Sequence, residues 1–236
     1  MGPKIFEVAV RGPVLSIKHL ETYQVAISYP LLLPSTILGA IAFGIAQIGG
    51  HNNAEECLRK TRKLIKKARD SAANVTKFPI ILRRNRKILE EKRMPENIDQ
   101  INEVRDALIR EHQYSYEHKI LIVPNNNMDH NELKELENAL WLIERLGDSE
   151  SLASTISVRE EEAQETDEDK VNVITAYKPG LMGNFTIMKA LDENSEIKGF
   201  AFPIISQRNM FEAGYIKIGD RDYRTKSFVF PMGDDW

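Results

Sequence analysis

The segment HQYSYEHK, residues 112–119, gathers two imidazoles, two phenols and an ammonium within eight positions. Histidine moves protons near neutral pH and lysine stabilises charge developing on a phosphorane. His112, Tyr116, His118 and Lys119 therefore have the chemistry for metal-independent cleavage of a phosphodiester. Tyr114, Tyr116 and His118 offer, equally, flat rings on which nucleobases stack. Alternation along an extended chain puts Lys119 on the face opposite His118, which weakens the cleavage reading and leaves the stacking reading intact.

A second group supplies cations. Residues 59–93 hold 14 Lys and Arg against 3 acids, a surplus of +11 in a chain whose net charge is −3. A basic block inside an otherwise acidic protein points to a local anion site or a binding edge. Within it, Arg83, Arg84, Arg86 and Lys87 follow the strand-like run FPIIL, a position suited to neutralising phosphates. In RKTRKLIKKARD, Leu58, Ile65, Ala68, Ala72 and Val75 fall on one helical stripe and leave Arg59, Arg62, Lys63, Lys66, Lys67 and Arg69 outward. Such a helix is also an ordinary solvated face, or a docking surface for an acidic protein. Two uncharged features complete the set. Ser35 and Thr36 stand where a helix begins, offering hydroxyls and backbone amides to a phosphate. YKPGLMGN has Lys178, Gly180 and Gly183 where backbone can approach a phosphate closely.

The elements that must position these groups follow from periodicity. KIFEVAVRG alternates as a strand, and VLSIKHLETYQVAIS continues extended. Ser35 is the expected N-cap of a helix running from Thr36 to Ile48. The basic helix comes next, then a short strand around Pro79 to Arg83. A further helix starts at Pro95 with Ile98, Ile101 and Leu108 in phase. QYSYEHKILIVP reads as a strand, and Asp129 and Glu132 have capping-box spacing ahead of a helix that stops at Gly147. LASTISV closes the series.

This order, strand, helix, strand, strand, helix, strand, predicts an α+β, ferredoxin-like domain over residues 1–158, the framework that RRM modules also use, with a basic helical insertion at about 52–112. Residues 159–170 contain seven acids and no apolar residue larger than alanine, so a solvated linker is expected there, without metal binding. Residues 171–236 read as a small β lobe, its last runs, YIKI and YRTKSFVFP, joined as a hairpin by GDRD.

No charged side chain occurs from Thr22 to Gly50, yet Pro30, Pro34 and Gly49-Gly50 cut this stretch short of the roughly 20 apolar residues a bilayer span needs. A core helix is expected there, and no membrane association. The single Cys57 excludes an internal disulfide and a cysteine-built zinc cluster, in keeping with a reducing cytoplasm. The N-terminal MGPKIFEVAVRGP lacks the apolar length of a signal peptide, so secretion is not expected. A phosphate-binding glycine loop with Lys-Ser/Thr, an HExxH motif and a nucleophile elbow are all absent, and no cofactor is expected.

YPLLLPSTILGAIAFGIAQIGG, one strand in from the N-terminus, resembles the proline-serine/threonine-leucine-glycine helix start of the CRISPR-associated Cas-five family, a branch of the RAMP superfamily. ERLGDSESLASTISV resembles that family's glycine-ended helix leading into the strand that closes its first domain, and the large basic insertion looks most like the archaeal type I-A branch. The resemblance implies an RNA-binding subunit, not an enzyme, that caps the 5′ handle of CRISPR RNA in the type I interference complex (Cascade) of antiviral defence. It implies contacts with the backbone subunits and the large subunit. It also implies a thumb that kinks the guide, placed by position within Arg83 to His112. One branch of the family instead cleaves repeat RNA without metal, using the RNA's own 2′-hydroxyl with a Tyr, His and Lys cluster; His112, Tyr116, His118 and Lys119 would be its counterparts here.

Overall fold

The computed structural model describes residues 2–22, 25–50, 53–84, 88, 90, 92, 94–103, 106–208, 210–218, 222–233 and 236. In chain order the first elements are β1 (Lys4–Arg11), β2 (Val14–Leu15), α1 (Pro34–Gly49), α2 (Ala54–Leu64), β3 (Ile65–Asp70) and β4 (Val75–Arg84). They are followed by α3 (Ile98–Glu103), β5 (Asp106–Tyr114), β6 (His118–Pro124), α4 (His130–Trp141) and β7 (Ser154–Glu162). Short strands complete the chain: β8 (Gln164–Thr166), β9 (Thr175–Ala176), β10 (Met182–Asn184), β11 (Thr186–Leu191), β12 (Ile197–Phe202) and β13 (Ile204–Gln207). The last are β14 (Met210–Ala213), β15 (Tyr215–Lys217), β16 (Asp222–Arg224) and β17 (Val229–Pro231). The architecture is mixed α/β built on antiparallel sheets.

Its centre is a four-stranded sheet in the order β3-β6-β1-β7, every neighbour antiparallel. The two-residue period of β1 divides its side chains between two cores. Phe6, Val8 and Val10 pack with Ile120 and Ile122 beneath α1 and α4, through Ile37, Leu38, Ile41, Leu136 and Leu140. Ile5, with Leu121 and Val123 of β6, faces Val171, Val173, Ile216, Phe228 and Phe230 from the C-terminal third. Both faces of the sheet are therefore covered. This is why Glu7, an alternation-phase polar residue, is buried, with its Oε1 accepting from the Ser227 hydroxyl at 2.7 Å.

α1 carries the uncharged stretch. Ile37, Leu38, Ile41 and Ile45 are buried, and Gly44 allows α4 to cross closely, since a Cβ there would lie 2.6 Å from the Ala139 carbonyl oxygen. No helix among the described residues is long and apolar enough to cross a membrane. The start differs from expectation. Leu33, not Ser35, is the N-cap, Pro34 occupies the first helical position, and Ser35 and Thr36 sit inside the first turn.

The expected helical insertion is corrected more deeply. α2 is capped by Asn53, whose side chain accepts from the amides of Glu55 (3.1 Å) and Glu56 (3.3 Å), but it ends at Leu64. The remainder of the basic run, IKKARD, is β3, paired with β6 through a bulge between Ile65 and Lys67. Pairing with a buried strand outweighs the modest helical preference of Lys, Ala and Arg. Arg69, expected outward, is thereby buried.

Beyond β3, β4 and β5 form a long hairpin ladder from Thr76↔Tyr114 to Arg84↔Asp106, so residues 106–112 are strand where a helix was expected. This arm joins β2 on one side and β14 and β13 on the other in a five-stranded sheet. Among the described residues β14 pairs with β4 at Val75 and Thr76, and Pro79 lies beyond that pairing, where a strand tolerates a missing N–H.

In the acidic run, Arg159–Glu162 continue β7, and Gln164–Thr166 form β8 on β16. Pairing with Lys4–Glu7 of β1 holds these acids extended, and Lys4 bridges Glu160 at 2.9 Å. The runs expected to form one hairpin pair elsewhere: β15 with β10, and β16 with β17 and β8.

β16 holds a group out of balance with its surroundings. Asp222 is 1% exposed, its Oδ2 has no hydrogen-bond partner among the described residues, and burial, with the nearby Asp169 charge adding, pushes its carboxyl up to about 6. The folded state thus keeps a proton that the unfolded chain releases near pH 4, so stability falls as pH rises through that interval. Asp222→Asn is expected to stabilise the protein at pH 7.5 by on the order of 2 kcal/mol, and by almost nothing at pH 4. Thermal unfolding at the two pH values checks this.

Candidate functional site

The first turn of α1 opens on a cavity. No described side chain caps the helix start and its first turn contains no acid, so its amides and the positive end of its dipole face the cavity. Ser35, Thr36, Gly39, Ala40 and Phe43 line one side of a depression of about 330 Å³. Glu144, Arg145 and Gly147 line the other. Arg145 and Phe43 are both exposed, the latter by 47%. The cavity combines hydroxyls, backbone donors, a guanidinium and a ring, the groups that hold a nucleotide's phosphate and base, with the Glu144 carboxylate beside Arg145 on the far wall.

The far wall exists because α4 stops early. Its capping box is as expected: Asp129 Oδ1 accepts from the Glu132 amide at 2.8 Å and Glu132 Oε2 from the Asp129 amide at 3.0 Å. The helix ends at Trp141, however, six residues before Gly147. Gly147 has φ +107, and a Cβ there would lie 2.5 Å from the Ser16 carbonyl oxygen, so it closes a separate turn against the β2 region. That turn carries Arg145 to the α1 start. Arg145 is the residue that reading the sequence missed, for the two walls are about a hundred positions apart and no local pattern joins them.

Other expected site residues are dispersed. The backbone of Arg83 and Arg84 closes the β4–β5 ladder opposite Ala107 and Asp106, while Arg86 and Lys87 lie outside the described residues. Tyr114 ends β5 and is 48% exposed. Tyr116, 66% exposed, stands in the turn before β6, its hydroxyl accepting from Arg11 at 3.1 Å with the guanidinium 4.9 Å from the ring centre. The continuous alternation expected through 114–122 is broken by this turn. His118 is fully buried, with Nδ1 2.9 Å from Asp70 Oδ2. His112 is buried too, its ring stacked 6.2 Å from that of Phe78. Lys119 is exposed on β6, opposite Ala9 of β1. His112, Tyr116, His118 and Lys119 therefore do not assemble: the imidazoles are enclosed while the phenol and ammonium face outward. His118 is likewise corrected as a stacking surface.

Lys178 and Leu181 help line a separate cavity of about 200 Å³ against Pro231 and Trp236. Gly180 has φ +93 with open space around it, whereas Gly183, φ +122, is required by β10–β15 pairing, since a Cβ there would meet the Tyr215 carbonyl oxygen at 2.5 Å. In α2, Arg62 is spent inside the protein, donating to the Glu193 carbonyl (2.8 Å) and the Ser195 hydroxyl (2.7 Å), and Lys60 pairs with Glu135 at 2.6 Å. Arg59 and Lys63 remain exposed. Among the described residues, no group of three or more His, Cys, Asp or Glu side chains is placed to hold a metal ion.

No family model matches the chain. A protein of Thermoproteus tenax named CRISPR-associated protein Cas5 is 32% identical over 230 residues, covering 97% of this chain and 98% of its own length. A protein of the same name from Methanocaldococcus jannaschii is 28% identical over 234 residues, covering 90% and 91%. The crystal structure of a CRISPR protein from Archaeoglobus fulgidus aligns over 96% of this chain and 97% of that one with a TM-score of 0.55 at 14% identity, a likeness of fold. Near-complete coverage at 32% identity, on a fold shared end to end with a CRISPR protein, shows that the chain belongs to the CRISPR-associated protein Cas5 family.

Proposed function

We propose that this protein is the CRISPR RNA-binding subunit that caps the 5′ handle of the guide in a type I-A Cascade complex, in contact with its backbone and large subunits, and that it binds without cleaving. The observation that carries the reading is the uncapped α1 start opening, with Ser35 and Thr36, onto the cavity that Arg145 shares. A helix terminus of this kind takes a phosphate without a side-chain charge of its own, and Arg145 supplies the charge from the facing turn. The order β3-β6-β1-β7 under α1 and α4 supports a ferredoxin-like unit over residues 1–158, to which 171–236 add a β lobe beyond the acidic segment 159–170. The β4–β5 arm is the thumb in this reading, with Arg83, Arg84, Arg86 and Lys87 serving the RNA backbone where the guide turns, and Tyr114 and Tyr116 offering planes to bases. Lys178 and Gly180 serve as a peripheral backbone contact.

Metal-independent cleavage by His112, Tyr116, His118 and Lys119 gains no observation in its favour, because the two imidazoles are enclosed. The test is a salt titration of handle-RNA affinity. Arg83→Ala with Arg84→Ala is expected to weaken binding about tenfold near 0.1 M salt and to flatten the log–log salt slope by about 1.4. An unchanged slope would remove the arm from the RNA path.

A further inference from the structure

Three fully buried polar side chains converge on the short approach to α1. Asp70 Oδ2 accepts from the Leu32 amide at 2.8 Å and from His118 Nδ1 at 2.9 Å, while Asp70 Oδ1 accepts from the Ser71 amide at 3.0 Å. Gln113, with its NH₂ turned toward the loop, donates to the carbonyls of Tyr29 (3.0 Å) and Pro30. These residues come from β3, β6 and β5, and each is 0% exposed. Leu33 follows Leu32 directly and is the N-cap of α1, so the chain enters the helix from a point pinned by Asp70.

We infer that Asp70 and His118, with Gln113, are positioning residues for the nucleic-acid cavity: they hold residues 29–33 so that the first turn of α1 presents Ser35 and Thr36 to the space shared with Arg145. This inference rests on the RNA reading of that cavity. An uncapped helix start takes its orientation from the main chain that leads into it, and a buried acceptor bonded to the amide two residues before Pro34 fixes that chain. His118 orients that acceptor in turn, because its Nδ1–H occupies the same carboxylate oxygen that receives the Leu32 amide. The imidazole thus acts through the carboxylate, without touching RNA. Apolar packing seats the body of α1 through Ile37, Leu38, Ile41 and Ile45, while the directional hydrogen bonds to residues 29–33 fix where its first turn begins.

Two measurements on the full chain test this, one of them independent of RNA. In His118→Leu, amide exchange at Leu32 and at Ile37, which donates to the Leu33 carbonyl at 3.0 Å, is expected to accelerate at least tenfold, while β1 and β6 amides stay protected. His118→Asn keeps an N–H where Nδ1 stands and is expected to restore protection. With fluorescein-labelled handle RNA as the probe, His118→Leu is expected to weaken binding about tenfold, and His118→Asn no more than threefold. Adding Ser35→Ala to His118→Leu is expected to cost nothing further, whereas Arg84→Ala costs the same in either background. Wild-type exchange at Leu32 and Ile37 in His118→Leu would overturn the positioning role, as would multiplicative losses for His118→Leu and Ser35→Ala. Accelerated exchange with no effect of Ser35→Ala on RNA in either background would keep the pinning and reject the RNA role of the helix start.

Discussion

Replacing Arg69 by alanine is expected to cost about 3–5 kcal/mol, which in a chain of this size lowers the unfolding temperature by about 10 °C. Arg69 is 1% exposed and ties the edge of the central sheet to the β11–β12 turn and to Trp236. Its guanidinium pairs with Glu193 of the β11–β12 turn, donates to the Trp236 carbonyl at 3.0 Å, and lies 5.5 Å and 5.6 Å from the ring centres of Phe200 and Trp236. Glu193 also accepts from the Ala68 amide, at 3.2 Å, so alanine at position 69 leaves a carboxylate in a largely enclosed site with one partner instead of two among the described residues. A void adds to the loss. The double variant Arg69→Met with Glu193→Gln removes both charges while keeping volume, and should recover more than half of the loss. Calorimetric unfolding of the three proteins decides the matter, and a loss below about 1 kcal/mol for Arg69→Ala would mean that the clamp is ornamental.

Arg145→Glu is expected to have the largest effect on binding. Placing an acid across from the α1 start removes one cation and sets a negative charge against any phosphate held there. A drop of about 30-fold in handle-RNA affinity at 0.1 M salt is expected, falling as salt rises. Arg145 is exposed, so the unfolding free energy should stay within the change typical of a surface site, about 0.5 kcal/mol. That separation of affinity from stability distinguishes a contact from a structural role. Equal affinity for Arg145→Glu and wild type would put the cavity off the RNA path.

Where the sequence was legible, a local rule and the tertiary structure agreed. The Asp129–Glu132 capping box, the apolar stripe of α1 and the alternation of β1 all report contacts within a few residues of one another or a face that is wholly buried. Where it was not, a distant partner decided. IKKARD is a strand because β6 offers it a ladder, and residues 106–112 are a strand because β4 does, although Ile98, Ile101 and Leu108 lie in helical phase. The stretch Tyr114, Tyr116, His118 looked like one face because the turn of residues 115–117 contains neither Gly nor Pro to mark it. Burial of His118 and His112 then follows from sheet pairing that alternation cannot see. The same limit hid Arg145. A site built between an N-terminal helix start and a turn about a hundred residues later has no signature in either segment alone.

Nuclease footprinting of a full-length guide by the wild-type protein tests the proposed recognition of the 5′ handle of CRISPR RNA most directly. The expected result is protection confined to the handle nucleotides and the first spacer positions, retained when the spacer sequence is exchanged and lost as salt is raised. Protection spread evenly along the guide, or confined to its 3′ end, would contradict the claim.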